Sequence, residues 1–362
     1  MTYKILVDIT HPAHVHFFRN AIDLWRTQGW QVMITARDKD IALRLLNEYG
    51  YEYTCYGKAR RGMGGLLSEL LEREVKIWGA IRRFKPDAIC SIGGTFNVHA
   101  AWLRGVLDVI FYDSEIATVS NAISYPFATA ICTPNAYKFD IGRKQIRYQG
   151  CHQLAYLHPN RFTPDPAVVR EAGLQPNEPY SVIRFVGWNS GHDINRRGFS
   201  GAGKEKLVNL LANYGKVVIT SEAPLPSSLE KYRFCISPTK IHHLLAFAQI
   251  IVGESATMTS EAVLVGTPAV YVSPLIPGYT DELERKYDMC YIFQDENQAL
   301  EKSSELLERP NLKSEWQEKR KKILSEKIDV TAWMVSFMQQ IIEKKGDLDK
   351  IDYEPGIYRQ GH

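Results

Sequence analysis

The feature that most constrains this chain is an alternation of strand-like and helix-like runs that occurs twice, once on each side of a proline-bearing break. In the first half, Tyr3 to Ile9 reads as a strand and Val15 to Gln28 as a helix that stops at Gly29. Gln31 to Ala36 reads as a second strand and Asp40 to Tyr49 as a second helix. A long amphipathic stretch, Gly65 to Phe84, leads into an apolar run at Ala88 to Ile92, and further strands are expected at Val106 to Tyr112 and Ala130 to Thr133. Gln149 to Pro166 contains Pro159, Pro164 and Pro166 and reads as a linker. The alternation then restarts: strand at Tyr180 to Val186, helix at Lys204 to Tyr214, strand at Lys216 to Thr220, helix at Ile241 to Phe247, strand at Ile250 to Val252. Such a pattern predicts parallel sheets covered by helices on both faces. We therefore expect an α/β protein of two Rossmann-like domains with a cleft between them. The expected boundaries are residues 1–155, residues 156–335, and a helix end and tail at 336–362. Ligands in such sheets bind beyond the carboxyl ends of the strands.

Composition narrows the function. At 362 residues the chain is long for one core and comfortable for two. A net charge of +3 is too mild to call for nucleic acid, which is not an expected partner. Six cysteines lie far apart with no C-x-x-C pair, which argues against a zinc site and fits a reducing compartment. Met1 to Asp8 runs straight into a strand and does not read as a signal peptide, and no apolar run has the length of a spanning helix. The expected location is the cytoplasm. The basic clusters Lys58 to Arg61 and Arg82 to Lys85 flank the apolar face of the 65–84 stretch, and this admits peripheral contact with the inner face of a membrane.

The richest local motif is Gly253 to Ile276, GESATMTSEAVLVGTPAVYVSPLI. A small polar turn opens an apolar helix that carries Glu261 and ends at Gly266-Thr267-Pro268. A helix start presents unpaired N–H groups and a partial positive charge, so Ser255, Ala256, Thr257 and Met258 are candidates to meet phosphate. The Glu261 carboxylate is suited to accept hydrogen bonds from ribose hydroxyls. Phosphate and ribose together point to a nucleotide.

With this segment and the doubled alternation, the chain resembles the GT-B glycosyltransferase fold, especially the MurG-like group and the related UDP-GlcNAc 2-epimerases. It also resembles a GT-B-like family known only as a domain of unknown function. The resemblance implies that Glu261 binds the ribose of a UDP-sugar and that residues 255–258 bind its diphosphate. It further implies that the backbone near Ile241 meets the nucleobase, and that the loop from Arg184 to Asp193 lies beside the diphosphate. In that loop Gly187 permits close approach, Arg184 is a candidate to offset charge on departing UDP, and His192, which departs from the family's Gly-rich loop, is a candidate to bind donor sugar or acceptor. The first half then becomes the acceptor side. No metal and no cofactor are implied, the UDP-sugar itself being the donor substrate.

The remaining candidates lie in the first half. His11, His14 and His16 follow the first strand, and histidine is the side chain whose ordinary pKa suits a general base near neutrality. His14 is the first choice for the base and His11 the second. Asp113 and Glu115 follow another strand and are candidates to orient a histidine or bind sugar hydroxyls. Gly93, Gly94 and Thr95 form a tight turn on the acceptor side. The resulting expectation is a metal-independent inverting transferase that moves a sugar from a UDP-sugar to a glycan or lipid-linked acceptor. The alternatives are a UDP-GlcNAc 2-epimerase-like enzyme and a non-catalytic nucleotide-sugar-binding protein.

Overall fold

The computed structural model describes residues 2–60, 62–115, 118–187, 198–353 and 356–359. The chain divides into two compact units. Unit 1 comprises Met1–Arg161 and Lys327–His362, and unit 2 comprises Phe162–Glu326.

Unit 1 runs β1 (Lys4–Ile9), α1 (Pro12–Thr27), β2 (Gln31–Asp38), α2 (Ala42–Glu48), β3 (Thr54–Lys58), α3 (Gly62–Phe84) and β4 (Ala88–Ile92). It continues through α4 (Val98–Leu103), β5 (Leu107–Phe111), α5 (Thr118–Ser124), β6 (Ala130–Pro134), β7 (Gln145–Tyr148) and α6 (Leu154–Leu157). Unit 2 holds α7 (Pro166–Glu171), β8 (Tyr180–Phe185), α8 (Gly201–Ala212), β9 (Lys216–Ser221), α9 (Ile241–Phe247), β10 (Ile250–Gly253) and α10 (Ala256–Leu264). It closes with β11 (Ala269–Val272), α11 (Gly278–Arg285), β12 (Cys290–Phe293), α12 (Glu296–Leu307) and α13 (Leu312–Glu326). The chain then returns to unit 1 with α14 (Val330–Glu343) and β13 (Ile357–Arg359).

The sheet of unit 1 has the order β13-β7-β6-β5-β4-β1-β2-β3, parallel except for β13, which pairs antiparallel with β7. The sheet of unit 2 has the order β12-β11-β10-β8-β9 and is parallel throughout. Strands covered on both faces need continuous apolar runs. β1 and β4 show this: Leu6 and Ile89 pack under Ile77, Ala80 and Ile81 of α3 and Ala100 and Ala101 of α4.

Asp8 breaks the apolar run of β1. It is fully buried and meets Arg73 of α3, also fully buried, at 2.7 and 3.0 Å. Thr35 of β2 donates its hydroxyl to Asp8 at 2.7 Å, and Arg73 donates to the Ala36 carbonyl at 3.2 Å. The pair ties α3 to the first two strands. A buried charge is tolerated only with such partners.

Two features correct the sequence reading. The first part of the expected linker is packed into unit 1: residues 150–157 are buried and include α6. The change of unit falls after Arg161 rather than after residue 155. The second boundary also moves, to Lys327 from 335/336, and the tail expected at 336–362 belongs to unit 1. The reason is the apolar face of α14. Trp333 stacks on Tyr148 with ring centroids 4.6 Å apart, and Thr331 donates to the Ala155 carbonyl at 2.6 Å.

Candidate functional site

In unit 1 the polar candidates gather at the carboxyl ends of neighbouring strands. His11 sits directly before α1 in an extended conformation, which Pro12 at the first helical position reinforces. Its Nδ1 accepts the Ala13 N–H at 3.2 Å, so His11 caps the helix. Burial, together with Lys39, lowers its pKa to about 4. His14 lies one turn on, its Nδ1 accepting the Thr10 N–H at 3.3 Å. Burial, followed by the nearby His11 and His152, holds its pKa well below 6.5. A neutral imidazole whose Nδ1 accepts must carry its proton on Nε2. His14 is therefore arranged as a hydrogen-bond donor. His16 turns away from the other two, with Nδ1 3.2 Å from the Tyr49 hydroxyl.

Asp113 follows β5 and lies 3.3 Å, through Oδ2, from Nδ1 of His152, which follows β7. The His152 ring packs on Phe17 at 4.4 Å between centroids. His152 is buried, and its Nε2 has no hydrogen-bond partner among the described residues. Burial lowers its pKa, and the Asp113 carboxylate opposes that shift. With Nδ1–H facing a carboxylate, the free lone pair resides on Nε2. Among the unit 1 candidates this is the arrangement of a base: an oriented, neutral imidazole with an unused acceptor.

The other unit 1 candidates are held by the protein. Glu115 is buried and accepts the Lys138 N–H at 3.1 Å. Thr95 bonds the Ser120 hydroxyl. Gly93 and Gly94 both have positive φ, and a Cβ on Gly94 would stand 2.4 Å from Ile110 Cδ1, so the turn there needs glycine.

In unit 2, Ser255 caps α10, its hydroxyl accepting the Met258 N–H at 3.4 Å. The first-turn N–H groups of Ala256 and Thr257 remain directed out of the helix start, as at any helix N-terminus. Gly253 before them is required by close approach: a Cβ there would lie 2.6 Å from the Arg184 carbonyl oxygen. Glu261 stands in the second turn of α10, buried, with Oε1 3.1 Å from Nε2 of His242 in α9. Ile241 opens α9 immediately before that histidine. Arg184 forms an ion pair with Glu222, whose Oε2 also accepts the Gly187 N–H at 3.3 Å. The expected free cation for a departing diphosphate is thus already paired with a carboxylate. His192 lies outside the described residues.

Two residues escaped the sequence reading. His152 sat inside the supposed linker; the apolar run Leu154 to Leu157 beside it was the available signal. Glu254, buried, accepts the N–H groups of Val186 at 2.9 Å and Phe199 at 2.7 Å, fixing both ends of the loop after β8.

The buried histidines set a pH dependence. Between a depressed folded-state pKa and the ordinary value near 6.5, the unfolded chain binds more protons than the folded one, so stability falls as pH falls. For His11 that window runs from pH 6.5 down to about 4. Denaturation midpoints should decline across it. His11→Asn, which retains a capping acceptor, should flatten the decline; an unchanged slope would exclude His11 as a source.

Comparison with known proteins places the chain. The family model described as "Protein of unknown function (DUF354)" matches residues 3–343. The uncharacterized protein MJ0665 of Methanocaldococcus jannaschii is 22% identical over 286 residues, covering 75% of this chain and 82% of that protein. The UDP-GlcNAc 2-epimerase of Neisseria meningitidis bound to UDP-GlcNAc is similar in structure, with TM-score 0.62 and 11% identity over 94% of this chain and 100% of that one. MurG of Acinetobacter baumannii is similar with TM-score 0.58 and 16% identity over 93% and 99%. At these identities the likeness shows the fold, which is GT-B-like.

Proposed function

The chain belongs to the DUF354 family, and for this member we propose glycosyl transfer from a UDP-sugar to the hydroxyl of a glycan or lipid-linked acceptor. The broader reading, a nucleotide-sugar enzyme on a GT-B-like fold, is supported by the structural relatives. The choice of transfer rests on one observation: the carboxylates of Asp8, Glu115 and Asp113 are each engaged by protein groups, while one neutral histidine, His152, keeps a free lone pair. Asp8 is held by Arg73, Glu115 by the Lys138 N–H, and Asp113 by His152. An epimerase, which removes the sugar C2 proton and steadies an unsaturated intermediate, calls for several carboxylates free to meet the sugar. A transferase calls for one base.

In the proposed reaction His152 Nε2 takes the proton of the acceptor hydroxyl. The acceptor oxygen bonds to the anomeric carbon as the bond from that carbon to UDP breaks, and UDP leaves with the electron pair. Asp113 stabilises the imidazolium that forms. The N–H groups of Ala256 and Thr257 receive the developing diphosphate charge at the start of α10. Glu261, steadied by His242, accepts the ribose hydroxyls.

The deciding experiment supplies UDP-GlcNAc and related UDP-sugars with and without an acceptor panel. UDP release that requires an acceptor supports transfer. Appearance of UDP and a 2-epimer without acceptor would establish the epimerase alternative instead, and binding without turnover would indicate a nucleotide-sugar-binding protein. The ribose role has its own check. Glu261→Gln should weaken UDP binding about tenfold, the scale of a lost charged hydrogen bond; equal calorimetric affinity would refute the assignment.

A further inference from the structure

Six exposed large apolar side chains of unit 1, Leu66, Leu67, Leu71, Val75, Trp102 and Leu103, lie on two neighbouring helices, α3 and α4. Leu67, Leu71 and Val75 stand at i, i+4 and i+8 on α3, exposed by 58%, 62% and 71%. This spacing makes one stripe along the helix. α4 lies against α3 beside it: Glu74 accepts the Ala100 N–H at 2.8 Å, and Arg104 covers the Trp78 ring at 5.0 Å. On α4, Trp102 and Leu103 are exposed by 57% and 62%. An apolar strip of this extent on a folded unit marks a surface that meets something.

Charge says what. Every carboxylate on α3 and α4 is already engaged: Glu69 by Arg37, Glu72 by Lys76 and Arg60, Glu74 by His99 and the Ala100 N–H. Four cations at the ends of these helices, Arg82, Arg83, Lys85 and Arg104, have no carboxylate partner among the described residues. The face therefore presents a leucine-rich strip with uncompensated positive charge beside it and no free acid.

We propose that the α3–α4 face of unit 1 docks on an anionic lipid surface, with Leu67, Leu71 and Val75 entering the headgroup–acyl boundary and Arg82, Arg83, Lys85 and Arg104 meeting lipid phosphates. An interfacial helix binds in this way, its apolar side immersed and its basic residues at headgroup level. Near an anionic membrane each such cation is worth about 1 kcal/mol, roughly fivefold in binding, and the attraction fades with salt. This inference does not depend on which reaction the protein catalyses.

The test is co-sedimentation of the full chain with vesicles of pure phosphatidylcholine and of phosphatidylcholine mixed with phosphatidylglycerol, at low and high salt, alongside light scattering. Wild type should pellet with the mixed vesicles at low salt and be released by high salt. Leu71→Glu with Val75→Glu should reduce binding at least tenfold. Arg82→Ser with Arg83→Ser should reduce it only on anionic vesicles. The far-UV circular dichroism and urea midpoint of both variants should match wild type, which shows that unit 1 is folded and keeps this test apart from that of the transfer reaction. Three results overturn the proposal: wild type that stays in the supernatant, equal binding by the leucine–valine variant, or a dimer in solution that this variant dissolves. The last would make the occupant a second copy of this chain.

Discussion

His152→Ala is expected to cut turnover about a thousandfold, within the range for loss of a general base, while UDP binds as before. The expectation follows from the two nitrogens of one ring. Nδ1 faces Asp113 at 3.3 Å, and Nε2 is buried without a partner among the described residues. Alanine removes the proton acceptor and leaves α10 and Glu261, in unit 2, untouched. Asp113→Asn separates orientation from charge. It keeps the side-chain size but removes the carboxylate that stabilises the imidazolium, so the rate should fall at least about tenfold. It also removes the influence that raises the His152 pKa against burial. The acid limb of the rate profile should therefore move to lower pH in Asp113→Asn even as the plateau drops, a displacement that a purely structural defect does not produce. Full turnover in His152→Ala would exclude His152 as the base.

The second large effect concerns stability. Arg73→Met should destabilise unit 1 by about 3–5 kcal/mol, because it strands the buried Asp8 carboxylate without its partner. Asp8→Asn combined with Arg73→Met should recover a good part of that loss, since the remaining groups are neutral and Thr35 still supplies a hydrogen bond. Urea denaturation of the single and double variants measures both. A single variant as stable as wild type would mean that Asp8 reaches another cation or water when Arg73 is gone. Two units need not unfold together, so the transition should be followed with a probe in unit 1.

These two sites mark where the sequence was readable and where it was not. The alternation that declares parallel sheets is a consequence of burial on two faces, so β1, β4, β5, β8 and β10 stand out as apolar runs. β7 does not. Its Gln145 and Arg147 are buried because their side chains bond the preceding strand and loop: Gln145 reaches the Thr133 hydroxyl of β6 at 2.9 Å, and Arg147 reaches the carbonyls of Tyr137 and Phe139, each at 2.7 Å. A strand whose polar residues are satisfied by a loop carries no apolar signature. Missing β7 turned the buried segment after it into a linker and hid His152. The same limit applies to function. The histidines after β1 announced a polar strand end. Which nitrogen is free depends on hydrogen bonds from Thr10 and Ala13 and on a carboxylate thirty-nine positions before His152, and none of these has a local pattern. Glu261 was found because helix starts and their acids recur in recognisable form; its burial against His242 was not visible.

The chain leaves unit 1 after Arg161, completes unit 2, and comes back at Lys327. On the ribosome this route imposes an order. Unit 2 is continuous, so it can finish folding as soon as α13 has emerged. Unit 1, begun first, must wait for the last stretch of chain to deliver Trp333 to Tyr148 and β13 to the open edge of β7. Until then a growing molecule carries a completed second half and a first half with an uncovered sheet edge and exposed aromatic surface, the kind of species that chaperones retain. A stop codon shortly before Lys327 would therefore spare the unit made later and forfeit the one made first.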